Sequence, residues 1–229
     1  LPPDINQSVR KFSVGKNAEG VSGIRFGLGA IKSCGDKAID SIIAQRRKGG
    51  PYKDIFDFCQ RMDSEQVNKR VVESLILSGA MDCTGARRTQ LMAVYESALD
   101  GAAKSRRSNV AGQMSLFSDG LLEEVKPTLP DIPEYNLRTM LSLEKNVTGL
   151  YISGHPLGDY SKALSALDMN TARLTELLES PDHGLSFDGQ RVRMGGMLTE
   201  VRQKATKAGN LMGFATLEDL TGTIEALVF

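Results

Sequence analysis

Helical periodicity organises the middle of the chain. The segment SCGDKAIDSIIAQRRKGG carries apolar residues at helical spacing and basic residues in its last turn, and Gly49-Gly50-Pro51 stops the pattern. The apolar face consists of Ala38, Ile39, Ile42 and Ile43. We therefore predict a helix that ends at the glycine pair.

Two more helices are predicted further along the chain. Asp63 and Gln66 are three residues apart, as in a capping box, and apolar residues then recur on one side, which predicts a helix over 65–78 that ends at Gly79. Another helix follows Thr84-Gly85 and runs through ARRTQLMAVYESAL. The pattern is that of consecutive helices joined by tight turns.

Alternating apolar and polar residues replace the helical spacing at both ends of the chain. The first thirty residues contain two short alternating pieces separated by Gly, Asn and Pro, which predict two strands. From Gln190 the period is again two, and it predicts three strands with a basic turn at 204–210 and a second turn at 219–222.

Between these parts, residues 101–131 lack periodicity. They are small, polar and charged, with two prolines near the end, so we predict a flexible linker. Helical signals return over 132–186 and predict a helical connector. The fold class that follows is a multidomain α+β protein.

Composition is that of an ordinary globular protein. The 229 residues are 41% hydrophobic and 24% charged, and no apolar run approaches the ~20 residues that span a bilayer. We expect a cytoplasmic protein with no membrane partner. The three cysteines are widely spaced, without a CxxC pair or a nearby histidine, so we predict reduced thiols and no metal site.

Charge is unevenly distributed, although the net charge is zero. Residues 1–110 hold 18 lysine and arginine residues against 12 aspartate and glutamate residues, whereas residues 111–229 hold 10 against 16. A basic half suits a polyanion and an acidic half repels one. The charge therefore favours a nucleic-acid partner for the amino-terminal half.

The segment IKSCGDKAIDSI has the layout of a helix-hairpin-helix motif. An apolar residue precedes a tight hairpin, and a helix follows whose first turn carries a lysine. Backbone N–H groups at a helix start attract phosphate, and a small hairpin lets them approach it. We predict duplex DNA contacts from Ser33, Cys34, Gly35 and Lys37, although an ordinary pair of helices joined by a glycine turn has the same layout.

A second, looser copy of this layout lies some fifty residues further on. The helix over 65–78 turns at Gly79 and restarts after Gly85, where Arg87 and Arg88 supply positive charge. Two such hairpins, packed as a pair, would grip both strands of a duplex. We predict DNA contacts from Gly85, Arg87 and Arg88.

The hexapeptide GQMSLF places three large apolar side chains between polar flanks. Its last five residues resemble the peptide by which bacterial replication proteins bind the ring-shaped sliding clamp. They are Gln113, Met114, Ser115, Leu116 and Phe117. In this interpretation the leucine and the phenylalanine fill an apolar pocket on the ring, and a local packing role for the same residues is the alternative.

The resemblance extends over the whole chain. LPPDIN, IRFGLGAIKSCGDKAI, FDFC, LILSGAMD, GQMSLF and EKNVTGLYISGHPL occur in the order found in the alpha subunits of bacterial DNA polymerase III. That family order implies five parts. They are the end of a fingers region (1–30), a tandem helix-hairpin-helix domain (31–100), a linker with the clamp peptide (101–131), a helical connector (132–186) and the first three strands of an OB-fold β-barrel (187–229).

The resemblance also implies which chemistry lies elsewhere. The family is a DNA-directed DNA polymerase whose palm aspartates hold two magnesium ions, upstream of the part that this chain matches. We see no carboxylate pair placed for phosphoryl transfer, so we assign no catalytic residue, no metal ligand and no cofactor to this chain. The chain is expected to hold DNA rather than to polymerise it.

The OB-fold resemblance adds a single-strand prediction. Arg202, Lys204 and Lys207 lie near the loop between the first two strands, and Phe214 is the candidate stacking residue. Expected partners are duplex DNA, the sliding clamp, single-stranded DNA and the other replicase subunits. The main alternative is a DNA- and clamp-binding module of an error-prone or repair polymerase. A hydrolase using His155 is disfavoured, because no nucleophile or second ligand accompanies that histidine.

Overall fold

The first predicted helix is α1, Asp36–Gly49. Gly35 precedes it in an extended conformation, and Gly50 follows it at a φ of 75°, which a residue with a side chain rarely adopts. A second, shorter helix is α2, Ile55–Arg61, and its N-terminal cap is Asp54. The glycine pair thus ends α1 as predicted.

Helix α3 spans Lys69–Leu77 and begins later than its sequence predicts. The cap is Asn68, whose side chain accepts a hydrogen bond from the Val71 N–H at 3.2 Å, rather than Asp63. Asp63 instead heads a turn in which its carbonyl accepts from the Val67 N–H. That turn places Val67 in the core, which explains why the helix does not begin there.

Helix α4, Arg88–Val110, runs ten residues into the region predicted as linker. Two facts account for this extension. Ala98 and Ala102 are buried, and α4 packs against α2 and α3. The Arg106 guanidinium also donates hydrogen bonds to the carbonyl oxygens of Cys59 and Met62 at the end of α2. Small residues in this region therefore pack as helix rather than forming a loop.

The two predicted amino-terminal strands form a hairpin of β1, Ser13–Lys16, and β2, Ser22–Arg25, paired antiparallel. A short 3-10 turn at Leu28–Ala30 follows and leads into the segment before α1. Leu28 is buried in this turn.

Helix α5, Leu137–Thr148, packs on α3 and buries Leu141 and Glu144 completely. It therefore belongs to the first of the two compact units into which the chain divides, Leu1–Ser153 and Gly154–Phe229. From the sequence we predicted instead that α5 and the later helices form one connector, 132–186.

The described part of the second unit holds two short α-helices and a sheet. The helices are α6, Ser161–Ser165, and α7, Thr171–Glu179, and the strands are β3, Met197–Ala205, β4, Leu211–Glu218, and β5, Thr223–Val228. The strand order is β3-β4-β5, and both pairs are antiparallel, as the alternation predicts. Within the described residues this sheet does not close into a barrel.

The computed structural model describes most of the chain. The described residues are 1–17, 19–63, 65–110, 128–180, 189–205 and 211–229, with the side chains of 107–110 excluded. No helix within these ranges is long and apolar enough to span a membrane.

Asp219 joins the β4–β5 turn to α7. Its carboxylate accepts hydrogen bonds from the Thr171 N–H and hydroxyl, each at 2.7 Å, and from the Thr221 N–H at 2.7 Å. Burial alone would raise the pKa of Asp219, but these hydrogen bonds outweigh it and lower the pKa to about 2. A carboxyl group whose pKa is lower in the folded state than in the unfolded state stabilises the fold at pH values above its unfolded pKa. This stabilisation is lost as the pH falls through the folded pKa.

We expect Asp219→Asn to cost about 1–2 kcal/mol of unfolding free energy at neutral pH, because an amide replaces a charged acceptor. The difference from the wild type should shrink as the pH falls from about 4 towards about 2. Thermal unfolding across that pH series measures it. Asp168→Asn is the control, since Asp168 is exposed and pairs only at 3.5 Å with an exposed arginine. A pH-independent difference would contradict the prediction.

Candidate nucleic-acid interface

The first hairpin, residues 31–35, is built on buried apolar side chains. Ile31 and Cys34 point into the core, while Ser33 adopts a φ of 67° and lies exposed. The Cys34 N–H donates to the Ile31 carbonyl at 3.2 Å, and the Gly35 N–H donates to the Ser33 carbonyl at 3.1 Å. The backbone thus turns tightly enough to begin α1 at once, without the glycine usual at the Ser33 position.

Cys34 holds this hairpin from the inside. Burial raises the pKa of its thiol to about 12, so the group stays protonated and apolar in character. The buried side chain of Cys34 therefore shapes the turn. The DNA contact at Cys34 stays a prediction about the backbone of the hairpin.

The start of α1 is open to solvent. The first N–H groups of a helix have no acceptor within the helix, and Gly35 supplies no side-chain cap. A Cβ atom at Gly35 would meet nothing within 4 Å, so an anion can approach closely. Lys32 and Lys37 are both exposed, and neither pairs with a carboxylate in the described part of the chain. The first hairpin is therefore an accessible positive site.

One arginine pairs with two carboxylates near this site. Arg10 lies 2.9 Å from Asp36 and 2.6 Å from Asp40, both on the first turns of α1. An unpaired Asp36 at the helix start would repel a phosphate. Arg10 reduces that repulsion and links the segment before β1 to α1.

The second hairpin has a similar backbone but different surroundings. Gly79 and Gly85 have φ values of 80° and 77°, a 3-10 turn at Asp82–Thr84 lies between them, and α4 begins three residues after Gly85. A Cβ at Gly85 would also meet nothing within 4 Å. The glycine positions are those predicted, but the helix start beyond them is not free.

The segment 130–134 covers the start of α4. The Glu134 carboxylate accepts from the Arg88 N–H at 2.6 Å and from the Thr89 N–H at 3.3 Å. The Arg87 guanidinium donates to the Asp131 carboxylate at 3.0 Å and to the Ile132 carbonyl at 2.9 Å. The chain's own carboxylates thus occupy the positions at which the sequence predicts phosphates.

Arg88 is not a surface residue. Its side chain is 3% exposed, and its guanidinium contacts the Asp82 carboxylate at 2.7 Å and the Glu144 carboxylate at 2.9 Å. The prediction that Arg88 contacts DNA is therefore corrected: its side chain is a buried ion-pair partner. Helical phase turns Arg87 outwards and Arg88 inwards, although the two residues are neighbours of the same type.

Glu144 is the centre of this buried polar cluster. It is fully buried, and besides Arg88 it accepts hydrogen bonds from the Ile152 N–H at 3.1 Å and the Ser153 N–H at 2.9 Å. The Ser153 hydroxyl donates to the same carboxylate. Burial would raise the pKa of Glu144, but the hydrogen bonds from Ser153 and Arg88 outweigh it and lower the pKa. This ion pair fixes α5 against the second hairpin.

The first hairpin is also tied to α5. The Lys32 N–H donates to the Val147 carbonyl at 2.7 Å, near the end of that helix. Because Glu144 on the same helix holds Arg88, α5 contacts both hairpins. Sequence reasoning did not find this role, since nothing in the local pattern links residues more than a hundred positions apart.

Three of the predicted single-strand residues lie together on the sheet of the second unit. Arg202 is opposite Phe214 in the β3–β4 register, and the Lys204 ammonium lies 5.5 Å from the centre of the Phe214 ring. Arg202 also pairs with Glu200 at 3.1 Å and Glu225 at 3.4 Å. This face therefore combines an aromatic ring with partly neutralised positive charge.

Two predicted sites fall outside the described residues. These are the pentapeptide 113–117 and Lys207. His155 accepts a hydrogen bond from the Leu157 N–H at 3.1 Å. Within the described ranges, no group of three histidine, cysteine or acidic residues is arranged to hold a metal ion.

Comparison with known proteins agrees with this geometry. A family model described as a helix-hairpin-helix motif matches residues 1–91. The match covers the part of the chain that contains both hairpins.

The whole chain is also similar to larger proteins. It is 36% identical to DNA polymerase III subunit alpha of Vibrio cholerae, 38% identical to that of Mycobacterium leprae and 33% identical to that of Escherichia coli K12. Each match covers 100% of this chain and 19% of the relative. The chain therefore matches a segment of the DNA polymerase III alpha subunit, which confirms the resemblance, and it spans about a fifth of the length of these relatives.

Proposed function

We propose that this chain is the part of a replicative DNA polymerase III alpha subunit that holds duplex DNA and the sliding clamp during chromosomal replication. The observation that carries the proposal is the open start of α1, where uncapped N–H groups, Gly35 and two exposed lysines face solvent. In this role the first hairpin binds the DNA backbone without reading its sequence.

The sliding clamp is the second proposed partner. The pentapeptide Gln113–Phe117 carries the glutamine, the aliphatic residue and the leucine-phenylalanine pair that the clamp-binding motif requires. It follows α4 closely in the sequence, so one protein would contact duplex and ring together. Dissociation from DNA then requires both contacts to fail, which raises the effective affinity without further contacts.

The strands β3–β5 are proposed as the first part of an OB-fold that meets single-stranded DNA. Arg202, Lys204 and Phe214 share one face, which combines charge for the backbone with a ring for stacking. The remaining strands, like the palm and the rest of the fingers, would lie elsewhere in the subunit. The five-part division given above remains part of this proposal, as do contacts with other replicase subunits and a cytoplasmic location beside the chromosome.

Duplex binding is tested by changing the two exposed lysines of the first hairpin. We expect Lys32→Ala/Lys37→Ala to weaken duplex binding about threefold to tenfold at low salt, because each lysine neutralises a phosphate. The slope of log affinity against log salt should become shallower by about 0.9 for each phosphate that is no longer neutralised. Fluorescence anisotropy with a short labelled duplex measures both quantities.

Lys48→Ala is the matched control for this test. Lys48 is exposed and lies on the last turn of α1, eleven residues from Lys37 and therefore about 16 Å along the helix. Compared with Lys37→Ala alone, it removes one positive charge from the same helix at its other end. Equal effects from both ends of α1, or no effect from either, would contradict the proposed role of the first hairpin.

A further inference from the structure

The two hairpins of the first unit differ in whether the helix start that follows them is open or covered. At the first hairpin, the helix start is uncapped and the nearby lysines have no carboxylate partners in the described part of the chain. At the second hairpin, a segment more than forty residues away in sequence supplies a cap to the helix and a partner to the arginine. The two sites share a backbone layout, but only one is accessible to DNA.

The covering segment resembles a phosphate backbone in its contacts. Glu134 binds two consecutive N–H groups at the start of α4, which is how a phosphate binds a helix start. Asp131 pairs with the guanidinium of Arg87, which is how arginine binds a phosphate. The two carboxylates belong to residues three positions apart on one short segment, Pro130–Glu134. This segment therefore presents two anionic groups to one site.

We propose that the segment 130–134 is an internal competitor of DNA: the carboxylates of Asp131 and Glu134 occupy a second phosphate-binding site, formed by the start of α4 and Arg87, until a duplex displaces them. This inference rests on the proposed duplex-binding function and adds a regulatory contact to it. In the displaced state the second hairpin binds a phosphate of the duplex already held by the first hairpin.

The contacts of the segment are suited to displacement. Arg87 is 47% exposed and Asp131 is 97% exposed, and ion pairs between exposed groups contribute little to stability. The hydrogen bonds from the Arg88 and Thr89 N–H groups to Glu134 are replaced by equivalent bonds to phosphate, so their number is conserved. DNA held by the first hairpin adds a high local phosphate concentration at the second.

Two further contacts of the segment are made through its backbone carbonyls, and one of them is the bond from Arg87 to the Ile132 carbonyl at 2.9 Å. The Gln90 side-chain amide donates to the Pro130 carbonyl at 2.8 Å. By contrast, the Arg88–Glu144 pair beneath the site is buried and independent of the segment. The segment can therefore leave while the hairpin itself keeps its shape.

The test compares duplex binding by the chain with binding by Asp131→Asn/Glu134→Gln. Both changes remove a negative charge, and each new amide keeps an oxygen that can still accept a hydrogen bond. We expect the variant to bind a short duplex about threefold to tenfold more tightly, with a salt slope more negative by about 0.9 or more, because at least one further phosphate is neutralised. Asp131→Asn alone, which leaves the Glu134 cap in place, should show part of the gain.

Two controls separate displacement from a general change of charge. Asp63→Asn/Glu65→Gln removes the same charge from exposed residues on another turn and should change affinity less than about twofold. The second control combines Asp131→Asn/Glu134→Gln with Arg87→Ala. This triple variant should bind duplex no more tightly than Arg87→Ala alone, because all three changes act on one site.

The outcomes are distinct. A gain in affinity that requires Arg87 supports the inference, even if the wild-type chain binds duplex only weakly. Unchanged affinity in a folded variant that still binds duplex overturns the inference and leaves the proposed function intact, as does a gain that persists without Arg87. If neither the wild-type chain nor the variant binds duplex at low salt, the proposed function fails and this inference fails with it.

Discussion

Replacing Glu144 by alanine should cost the first unit about 3–5 kcal/mol of unfolding free energy, because the change leaves the buried Arg88 guanidinium without one of its two carboxylates. It also removes the acceptor of the Ile152 and Ser153 N–H groups. Urea unfolding followed by circular dichroism measures the loss. Glu65→Ala is the control, since Glu65 is exposed and should change stability by less than about 0.5 kcal/mol.

The pairing itself is tested by combining the change with Arg88→Ala. The double variant should lose less than the sum of the two single losses, because each single change strands the other partner. Since its hydrogen bonds lower the pKa of Glu144, the stabilisation should be complete near neutral pH and decline as the pH falls below the ordinary range of a carboxyl group. Additive losses, or a loss below about 1 kcal/mol for Glu144→Ala, would show that Glu144 does not hold this cluster.

The second large effect is expected at the clamp. Replacing Leu116 and Phe117 together by alanine should weaken binding to the sliding clamp of the same organism at least about thirtyfold, or about 2 kcal/mol. Truncation to alanine removes nearly all the apolar surface with which these two side chains would fill a pocket on the ring. Surface plasmon resonance with immobilised clamp measures the affinity of this chain and of the variant.

Leu121→Ala/Leu122→Ala is the matched control for the clamp experiment. It removes two large apolar side chains from the same stretch of sequence but leaves the pentapeptide unchanged. The pentapeptide is the anchor if the control variant still binds the clamp and the variant without Leu116 and Phe117 does not. Equal losses from both double variants would mean that general hydrophobicity, and not the motif, binds the ring.

Local signals predicted the regular elements well. The Gly49-Gly50 pair ends α1, and alternation in the last forty residues gives β3, β4 and β5, because both features depend on neighbouring residues only. The boundaries that were wrong depend on tertiary contacts. Asp63 has the right neighbours for a cap, but Val67 is buried by the turn that follows, so Asn68 caps α3 instead.

In the candidate site, too, features set by neighbouring residues were predicted and features set by tertiary contacts were not. The hairpin position Gly85 follows from the sequence, because its φ of 77° favours glycine. Which of Arg87 and Arg88 faces solvent depends on the phase of α4 against α5, and a pair of adjacent arginines carries no signal of it. Glu134 was missed for a similar reason, since its partners are more than forty residues away in the sequence.

The length of α4 sets a distance between the two proposed contacts. At 23 residues the helix is about 35 Å long, and its packing against α2 and α3 holds its direction. The second hairpin lies at its first residue, and the proposed clamp peptide begins three residues after its last. In the proposed function α4 therefore separates the second hairpin from the start of the segment that carries the clamp peptide, and inserting one helical turn would lengthen that separation by about 5 Å.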